Sequence, residues 1–218
     1  MLCRMEYAAV VVTLALAACA APQGQSLVGA GVAAPSQLQL DRVNPDGPIP
    51  QNGSFETPVV PSGSYQEFAT GQHFAHWAVT GKSGNVAVIG KGFTYDGYAL
   101  PAKCGNQFLD LTGSSNSKTG VVQSVPTLSG KTYTIAFQVG NVVGGGNLGT
   151  SSTVLVYVNG KKIYTAKNTK GKGLKHIVWE AFSTQFAAQA DRTAIKFLNG
   201  DPPSDTANGL DCISITQT

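Results

Sequence analysis

The chain has 218 residues, of which 42% are hydrophobic and only 12% are charged. It contains 26 glycines and lacks long runs of Glu, Lys, Leu and Ala, so its composition favours a turn-rich β protein and argues against a helical one. The net charge of +3 is too small to indicate a nucleic-acid-binding protein. The lysines that crowd residues 161–175 lack a nucleic-acid motif, and we interpret this segment as a solvated hairpin.

Residues 1–18 have the features of a bacterial export signal. Arg4 gives a short positive start, and the apolar run at residues 8–18, of about eleven residues, is too short to span a bilayer. The run ends in Leu-Ala-Ala-Cys19, which resembles a lipobox, so we predict a lipoprotein signal peptide with lipid on Cys19. An ordinary signal peptide cleaved in the same neighbourhood is the alternative.

Residues 19–50 are rich in Ala, Pro, Gly and Gln and show no sustained apolar period. We interpret them as a flexible tether that joins the lipid to a folded domain at residues 51–218. This arrangement predicts a protein of the bacterial cell envelope, anchored by lipid at the outer membrane or the cell surface, on the periplasmic or extracellular face.

Two of the four cysteines belong to the folded domain, because Cys3 leaves with the signal and Cys19 carries the lipid. In an oxidising compartment the remaining pair, Cys104 and Cys212, is most simply a disulfide. Two separate buried thiols are the alternative.

Strand patterns recur along the domain, and no credible helix interrupts them. Apolar residues alternate with polar ones at 132–139, and Asn159-Gly160 between two apolar runs predicts a type I′ hairpin. We predict further strands, separated by Gly-containing turns, at residues 86–89, 107–111, 121–125, 176–182, 194–197 and 210–215. The pattern predicts an all-β fold, an antiparallel jelly-roll β-sandwich.

The last predicted strand carries a carboxylate among core residues. Asp211 shares its parity with Ile213 and Ile215, and an inward carboxylate is costly unless it is paired or bound to metal. If the first and last segments of the domain are neighbours, Glu56 lies beside Asp211. The pair then suits a structural Ca²⁺ ion, while capping of a loop amide or a place at the wet rim is the alternative for Asp211.

The aromatic segment 93–98 is the best local candidate for a sugar-binding site. Sugar binding needs flat aromatic side chains with polar groups at their edges, and Tyr95, Asp96 and Tyr98 supply both in a loop with a turn at its middle. Plain loop packing of Tyr95 and Tyr98 is the alternative. For Trp77 and Trp179 we favour a place in the core.

Catalytic motifs are missing from the sequence. There is no Gly-x-Ser-x-Gly elbow and no phosphate-binding loop. Glycoside hydrolysis needs two carboxylates on either side of the scissile bond, and nothing singles out one pair from the available acidic residues, among them Glu67 and Asp110. We therefore assign no catalytic residue and expect a protein that is not an enzyme.

Several weak motifs in a fixed order resemble the domain-of-unknown-function 642 family and related bacterial choice-of-anchor surface proteins. They lie at residues 52–56 (Asn-Gly-Ser-Phe-Glu), 77–81, 86–89, 105–111, 122–125, 131–137, 179–197 and 209–215. The resemblance implies a galactose-binding-like sandwich similar to carbohydrate-binding modules, a surface location, and polysaccharide binding without catalysis. It also implies Glu56 and Asp211 as calcium ligands. This chain departs from the family pattern at Ala87, where Glu is frequent, and at Cys212, where a second Asp is frequent.

The leading hypothesis is a non-catalytic, lipid-anchored protein of the cell envelope that binds a cell-wall or extracellular polysaccharide. A structural or adhesive protein that binds a protein partner is the main alternative, and an accessory glycosidase is a third. No nucleic-acid partner is expected.

Overall fold

The computed structural model describes residues 49–144, 148–203 and 207–218. The predicted signal peptide, Cys19 and all but the last two residues of the predicted tether lie outside the described residues. Within the described ranges the regular structure consists of strands, and none of it is a helix that could cross a membrane.

Fourteen strands follow one another along the described part of the chain. Their bounds are β1 Tyr65–Ala69, β2 His73–Phe74, β3 Trp77–Thr80, β4 Asn85–Ile89, β5 Thr94–Tyr95, β6 Tyr98–Ala99, β7 Phe108–Asp110, β8 Gly120–Pro126, β9 Thr132–Asn141, β10 Ser152–Val158, β11 Lys161–Asn168, β12 Val178–Ala187, β13 Arg192–Asn199 and β14 Gly209–Gln217. Every strand predicted from the sequence overlaps one of these.

The strands form two six-stranded sheets and a small hairpin. The front sheet has the order β1-β4-β7-β14-β9-β12, the back sheet has the order β11-β10-β13-β8-β3-β2, and β5 pairs with β6. All strand pairs within the sheets are antiparallel. The prediction of an antiparallel β-sandwich of jelly-roll type is confirmed.

The main core lies between the two sheets. In β9 the alternation seen in the sequence places Ile135, Phe137 and Val139 in this core, because successive side chains of a strand point to opposite faces. Trp77 is fully buried there and packs with its ring centroid 5.6 Å from that of Phe55. The core position predicted for Trp77 is confirmed.

The predicted hairpin at Asn159-Gly160 joins β10 and β11. The φ angles of Asn159 and Gly160 are 48° and 82°, and positive values at both positions are what a type I′ turn requires. β11 is the outermost strand of the back sheet, and lysine side chains on such a strand discourage pairing with another chain.

The first and last segments of the domain are neighbours, as predicted. Ile213 donates its N–H to the Gly53 carbonyl at 2.9 Å, and Ile215 donates to the Ile49 carbonyl at 2.8 Å. There is no room for a side chain at position 53, because a Cβ there would clash with the Ile213 carbonyl.

The parity predicted for Asp211 is wrong. A β-bulge lies between Asp211 and Ser214, with Cys212 at φ 52°, so the strand changes face at this point. Asp211 pairs with Gln138, on the face opposite to the core residues Ile213 and Ile215. Asp211 is fully buried because a loop covers it, and not because it points into the sandwich.

A second, smaller apolar cluster covers part of the outer face of the front sheet. Its members are Ala87, Ile89, Tyr98, Leu100, Phe108, Val142, Leu148 and Ile177. The β5–β6 hairpin reaches this face and is held there, since Ala99 donates to the Lys175 carbonyl and Ile177 donates to the Ala99 carbonyl, both at 3.0 Å. The hairpin thus forms one wall of a cleft on the outer face.

Candidate functional site

The floor of this cleft is made of two rows of side chains that cross three neighbouring strands of the front sheet. Strand pairing aligns Glu67 of β1 with Ala87 of β4 and Asp110 of β7. Two residues away along each strand, and therefore on the same face, a second row carries Tyr65, Ile89 and Phe108. One row thus places two carboxylates on either side of a small alanine, and the other is apolar.

The wall of the cleft comes from the β5–β6 hairpin and the segment before it. The Tyr65 and Phe93 rings meet edge to face, with centroids 5.4 Å apart, and Leu100 donates its N–H to the Phe93 carbonyl. Tyr95 lines the cleft from the first strand of the hairpin. Aromatic rings therefore stand on two sides of the space.

The cleft encloses about 270 Å³. We call it the outer cleft and define it by its lining residues, which are Tyr65, Glu67, Ala87, Ile89, Phe93, Tyr95, Leu100, Phe108, Asp110, Gly113, Ser114, Leu148 and Ala207. Its mixture of aromatic and aliphatic side chains with a few polar groups is typical of a small-ligand site.

Asp110 is the more constrained of the two carboxylates. Its Oδ1 atom accepts hydrogen bonds from the Thr112 N–H (3.0 Å), the Thr112 hydroxyl (2.7 Å) and the Asn208 N–H (3.0 Å). Burial nevertheless raises the pKa of Asp110 from 3.8 to about 6, and the nearby charge of Glu67 acts in the same direction. The two carboxylates therefore interact electrostatically across the floor of the cleft.

The three ligand-binding residues predicted from the sequence have different environments. Tyr95 lines the outer cleft and is 45% exposed. Asp96 is exposed at the tip of the hairpin, where its φ of 49° and that of Gly97, 77°, form a tight turn. Tyr98 is buried in the second cluster, with the Lys175 ammonium 4.5 Å from its ring centroid. Their role in binding stays a prediction, and the geometry favours Tyr95.

Tyr65, Glu67 and Asp110 line the cleft but were not placed in a site by the sequence. The alternation of Tyr65 and Glu67 with buried Phe68 is a strand signal at residues 65–69 that escaped prediction. Pattern alone does not say that this strand lies two places from β7, so the meeting of Glu67 with Asp110 depends on sheet order.

Trp179 lies near the cleft but is not part of it. Its ring meets Phe108 edge to face at 5.3 Å, and its indole N–H donates to the Pro101 carbonyl at 3.0 Å. It is partly buried against the second cluster, a packing position rather than a place in the main core.

Glu56 and Asp211, the predicted metal ligands, converge on one loop. Asp211 Oδ2 accepts the N–H groups of Lys103 and Cys104 at 2.8 and 2.9 Å, and its Oδ1 accepts that of Cys212 at 2.7 Å. Glu56 Oε1 accepts the N–H groups of residues 106 and 107, both at 2.9 Å. Burial raises the pKa of Asp211 from 3.8 to about 6, and the nearby charge of Glu56 acts in the same direction.

These contacts do not form a calcium cage. Calcium is held by carboxylate and carbonyl oxygens, whereas the hydrogen-bond partners of these two carboxylates are backbone N–H donors. These N–H groups suit the negative charge of the carboxylates and are donated to three of the four oxygens, Oδ1 and Oδ2 of Asp211 and Oε1 of Glu56. The Ca²⁺ ion therefore stays a prediction. Ala87, where the chain departs from the family pattern, lies on the floor of the outer cleft and not beside Glu56 and Asp211 in this loop.

Cys104 and Cys212 form a disulfide, as predicted, with Cα atoms 5.6 Å apart. It joins the loop that Glu56 and Asp211 hold to the bulge of β14. The two sulfur atoms and an Asp211 oxygen lie within 4.8 Å of one another, but bridged sulfurs are not thiolates and do not ligate metal.

The chain is similar to several solved structures. A cyclase from Fischerella sp. TAU has a TM-score of 0.55 and 15% identity, over 79% of this chain and 97% of that one. The CBM22-1 xylan-binding domain from Paenibacillus barcinonensis Xyn10C has a TM-score of 0.43 and 18% identity, over 73% of this chain and 97% of that one. A family 35 carbohydrate binding module from Clostridium thermocellum has a TM-score of 0.43 and 12% identity, over 70% of this chain and 99% of that one.

At such low identity the likeness to the cyclase shows a shared fold and carries no information on activity. No curated protein shows significant similarity to the chain. A family whose description is "Protein of unknown function (DUF642)" matches residues 49–215, which is most of the sequence and includes both sheets and the outer cleft. The resemblance seen in the sequence is thereby confirmed, and the chain belongs to the DUF642 family.

Proposed function

We propose that this protein binds carbohydrate, without catalysis, in the outer cleft. The observation that carries the proposal is the position of Tyr65 and Tyr95, which are 49% and 45% exposed and line the same cleft beside two carboxylates. Aromatic faces stack on the apolar faces of sugar rings, and carboxylates accept hydrogen bonds from their hydroxyl groups.

The distribution of exposed apolar side chains supports a binding role for this face. Among the described residues the large exposed hydrophobics are Val59, Tyr65, Tyr95 and Leu174. Half of this small set lines one concavity. Single exposed apolar residues are ordinary on a protein surface, but aromatic residues grouped around a cleft indicate a ligand site.

The cleft is also preorganised. Its floor belongs to paired strands, and its wall is hydrogen-bonded to residues 175 and 177 and packed on the second cluster. A ligand therefore meets groups that are already ordered, which lowers the entropic cost of binding.

We extend the proposal to the cellular address. The Leu-Ala-Ala-Cys19 motif supports a lipid anchor in the bacterial cell envelope, with the β-sandwich displayed toward a cell-wall or extracellular polysaccharide. The test is partition of the expressed full chain into detergent and incorporation of labelled palmitate. Cys19→Ala is expected to abolish both, and labelling that survives the change would contradict the anchor.

The binding proposal is tested on a glycan array and by pull-down on insoluble cell-wall polymers. Tyr65→Ala and Tyr95→Ala are each expected to weaken retention by about 5- to 30-fold, the range for loss of a central aromatic contact. Tyr157→Ala is the matched control, because Tyr157 lies on β10 of the back sheet beneath Lys196.

Three outcomes would overturn the proposal. The first is that the wild-type protein retains no glycan, and the second is that neither cleft substitution weakens retention. The third is that the bound glycan is hydrolysed in a reaction that Glu67→Gln abolishes. The last outcome would assign the accessory-glycosidase alternative. Co-purification of one protein with no dependence on glycan would favour the protein-partner alternative.

A further inference from the structure

Resting on the proposed function, we infer that the outer cleft selects sugars by charge. It prefers glycans with free amino groups over neutral glycans of the same backbone, and it rejects uronic acid polymers.

The charge of the cleft is of one sign. Its described lining contains two acidic residues, Glu67 and Asp110, and no Lys, Arg or His. A ligand carboxylate would therefore meet like charge without compensation, which is unfavourable in a partly enclosed space.

The two carboxylates are placed to contact one sugar ring from opposite sides. They belong to the same row, with the small side chain of Ala87 between them. Strands in a sheet are about 4.8 Å apart, so the backbones of Glu67 and Asp110 are separated by roughly 10 Å. A ring that lies over Ala87 would present an amino substituent toward one carboxylate or the other.

Lys175 and Lys170 each contact a group that is not part of the cleft lining. Lys175, which is close in space to the hairpin, has its ammonium over the Tyr98 ring. Lys170 pairs with Glu180 at 2.7 Å on the far strand of the front sheet. Glu67 is exposed at its end of the row, so its interaction with a ligand amine is partly screened by solvent and salt.

The test compares oligosaccharides that share a β-1,4-linked glucose backbone and differ at one position: cello-, chitosan and chitin oligosaccharides. An oligogalacturonate supplies the acidic probe. Affinities are measured near pH 6, where the amino groups of chitosan are largely protonated, at low and high salt, for the wild-type protein and for Glu67→Gln, Asp110→Asn and Tyr95→Ala. Asp191→Asn, an exposed acidic position on the β12–β13 loop, is the matched charge control.

The chitosan oligosaccharide is expected to bind most tightly and the uncharged cello- and chitin oligosaccharides more weakly. The oligogalacturonate is expected to bind little or not at all. Glu67→Gln is expected to reduce the preference for the amine about two- to five-fold, as for other exposed charge pairs, and Asp191→Asn is expected to leave it unchanged. High salt should reduce the preference in the wild-type protein, and should reduce it less in the Gln variant, which keeps only the Asp110 carboxylate.

The inference fails if the uronate binds as well as the neutral oligosaccharides, or if the amine preference is absent or unaffected by Glu67→Gln and Asp110→Asn. Carbohydrate binding itself would survive that result if Tyr95→Ala still weakened binding. If no oligosaccharide binds, or if Tyr95→Ala leaves all affinities unchanged, the proposed function fails first and this inference with it.

Discussion

Glu56 and Asp211 accept backbone N–H groups from the same loop, residues 103–107, although one follows the opening turn of the domain and the other lies on its last strand. Their carboxylates, together with the Cys104–Cys212 bridge, join three segments that are distant in sequence. The convergence expected from the sequence is present, but the partners of the carboxylates are N–H groups.

Substitutions at Glu56 separate its role as acceptor from its charge. Glu56→Ala leaves the N–H groups of Asn106 and Gln107 without their acceptor, so the free energy of unfolding is expected to fall by about 1–3 kcal/mol. Glu56→Gln keeps an oxygen acceptor and should cost less. Urea unfolding measures both, with Asp191→Ala as the control; an unchanged midpoint for Glu56→Ala would contradict the assignment.

The disulfide should be a major source of stability. It closes a loop across a sequence separation of 108 residues, for which the chain-entropy model gives about 4–5 kcal/mol. The double variant Cys104→Ser/Cys212→Ser, and the reduced wild-type protein, are expected to unfold at clearly lower temperature. Calorimetry with and without reductant checks this, and equal transition temperatures would show that the bridge adds nothing.

Chelation tests the calcium prediction directly. Because the contacts of Glu56 and Asp211 are with N–H donors, EDTA is expected to leave the melting temperature of the protein unchanged. A melting temperature that rises with added Ca²⁺, and that loses this response in Glu56→Gln, would instead establish the ion. It would mean that the loop exchanges its N–H contacts for oxygen ligands.

Asp110 should make stability depend on pH in a defined direction. Its pKa rises from 3.8 to about 6 in the fold, so between these values the folded state holds a proton that the unfolded state releases. Stability therefore falls as pH rises through this window. Asp211 acts in the same direction, with its own pKa at about 6.

Asp110→Asn removes one of these two protons while keeping an oxygen that accepts the Thr112 and Asn208 hydrogen bonds. The difference in unfolding free energy between pH 4 and pH 7 is expected to shrink by up to about 3 kcal/mol. Urea titrations at several pH values measure the slope. A slope equal to that of the wild-type protein would show that Asp110 titrates normally.

Much of the sandwich could be predicted from local sequence patterns. The alternation in β9 and the Asn159-Gly160 turn are set by neighbours in the sequence, because strand parity and turn geometry are local properties. The bulge at Cys212 could not be predicted in this way, since a parity count assumes an unbroken strand. It reverses the face of Asp211 relative to Ile213 and Ile215.

Only part of the candidate site could be predicted from the sequence. Tyr95 was found because aromatics cluster near it in the sequence, but the same reasoning also selected Tyr98, which packs in the second cluster. The rows that contain Tyr65, Glu67 and Asp110 arise from the strand order β1-β4-β7, a tertiary property that no local pattern encodes.

Chemical-shift mapping with an oligosaccharide identified on the array is the most direct test of a carbohydrate site in the outer cleft. On titration, the amide signals expected to move are those of residues 65–67, 93–95, 108–110 and 113–114, while those of β10 and β11 in the back sheet stay in place. Shifts that cluster on the back sheet, with the outer cleft unaffected, would contradict the account.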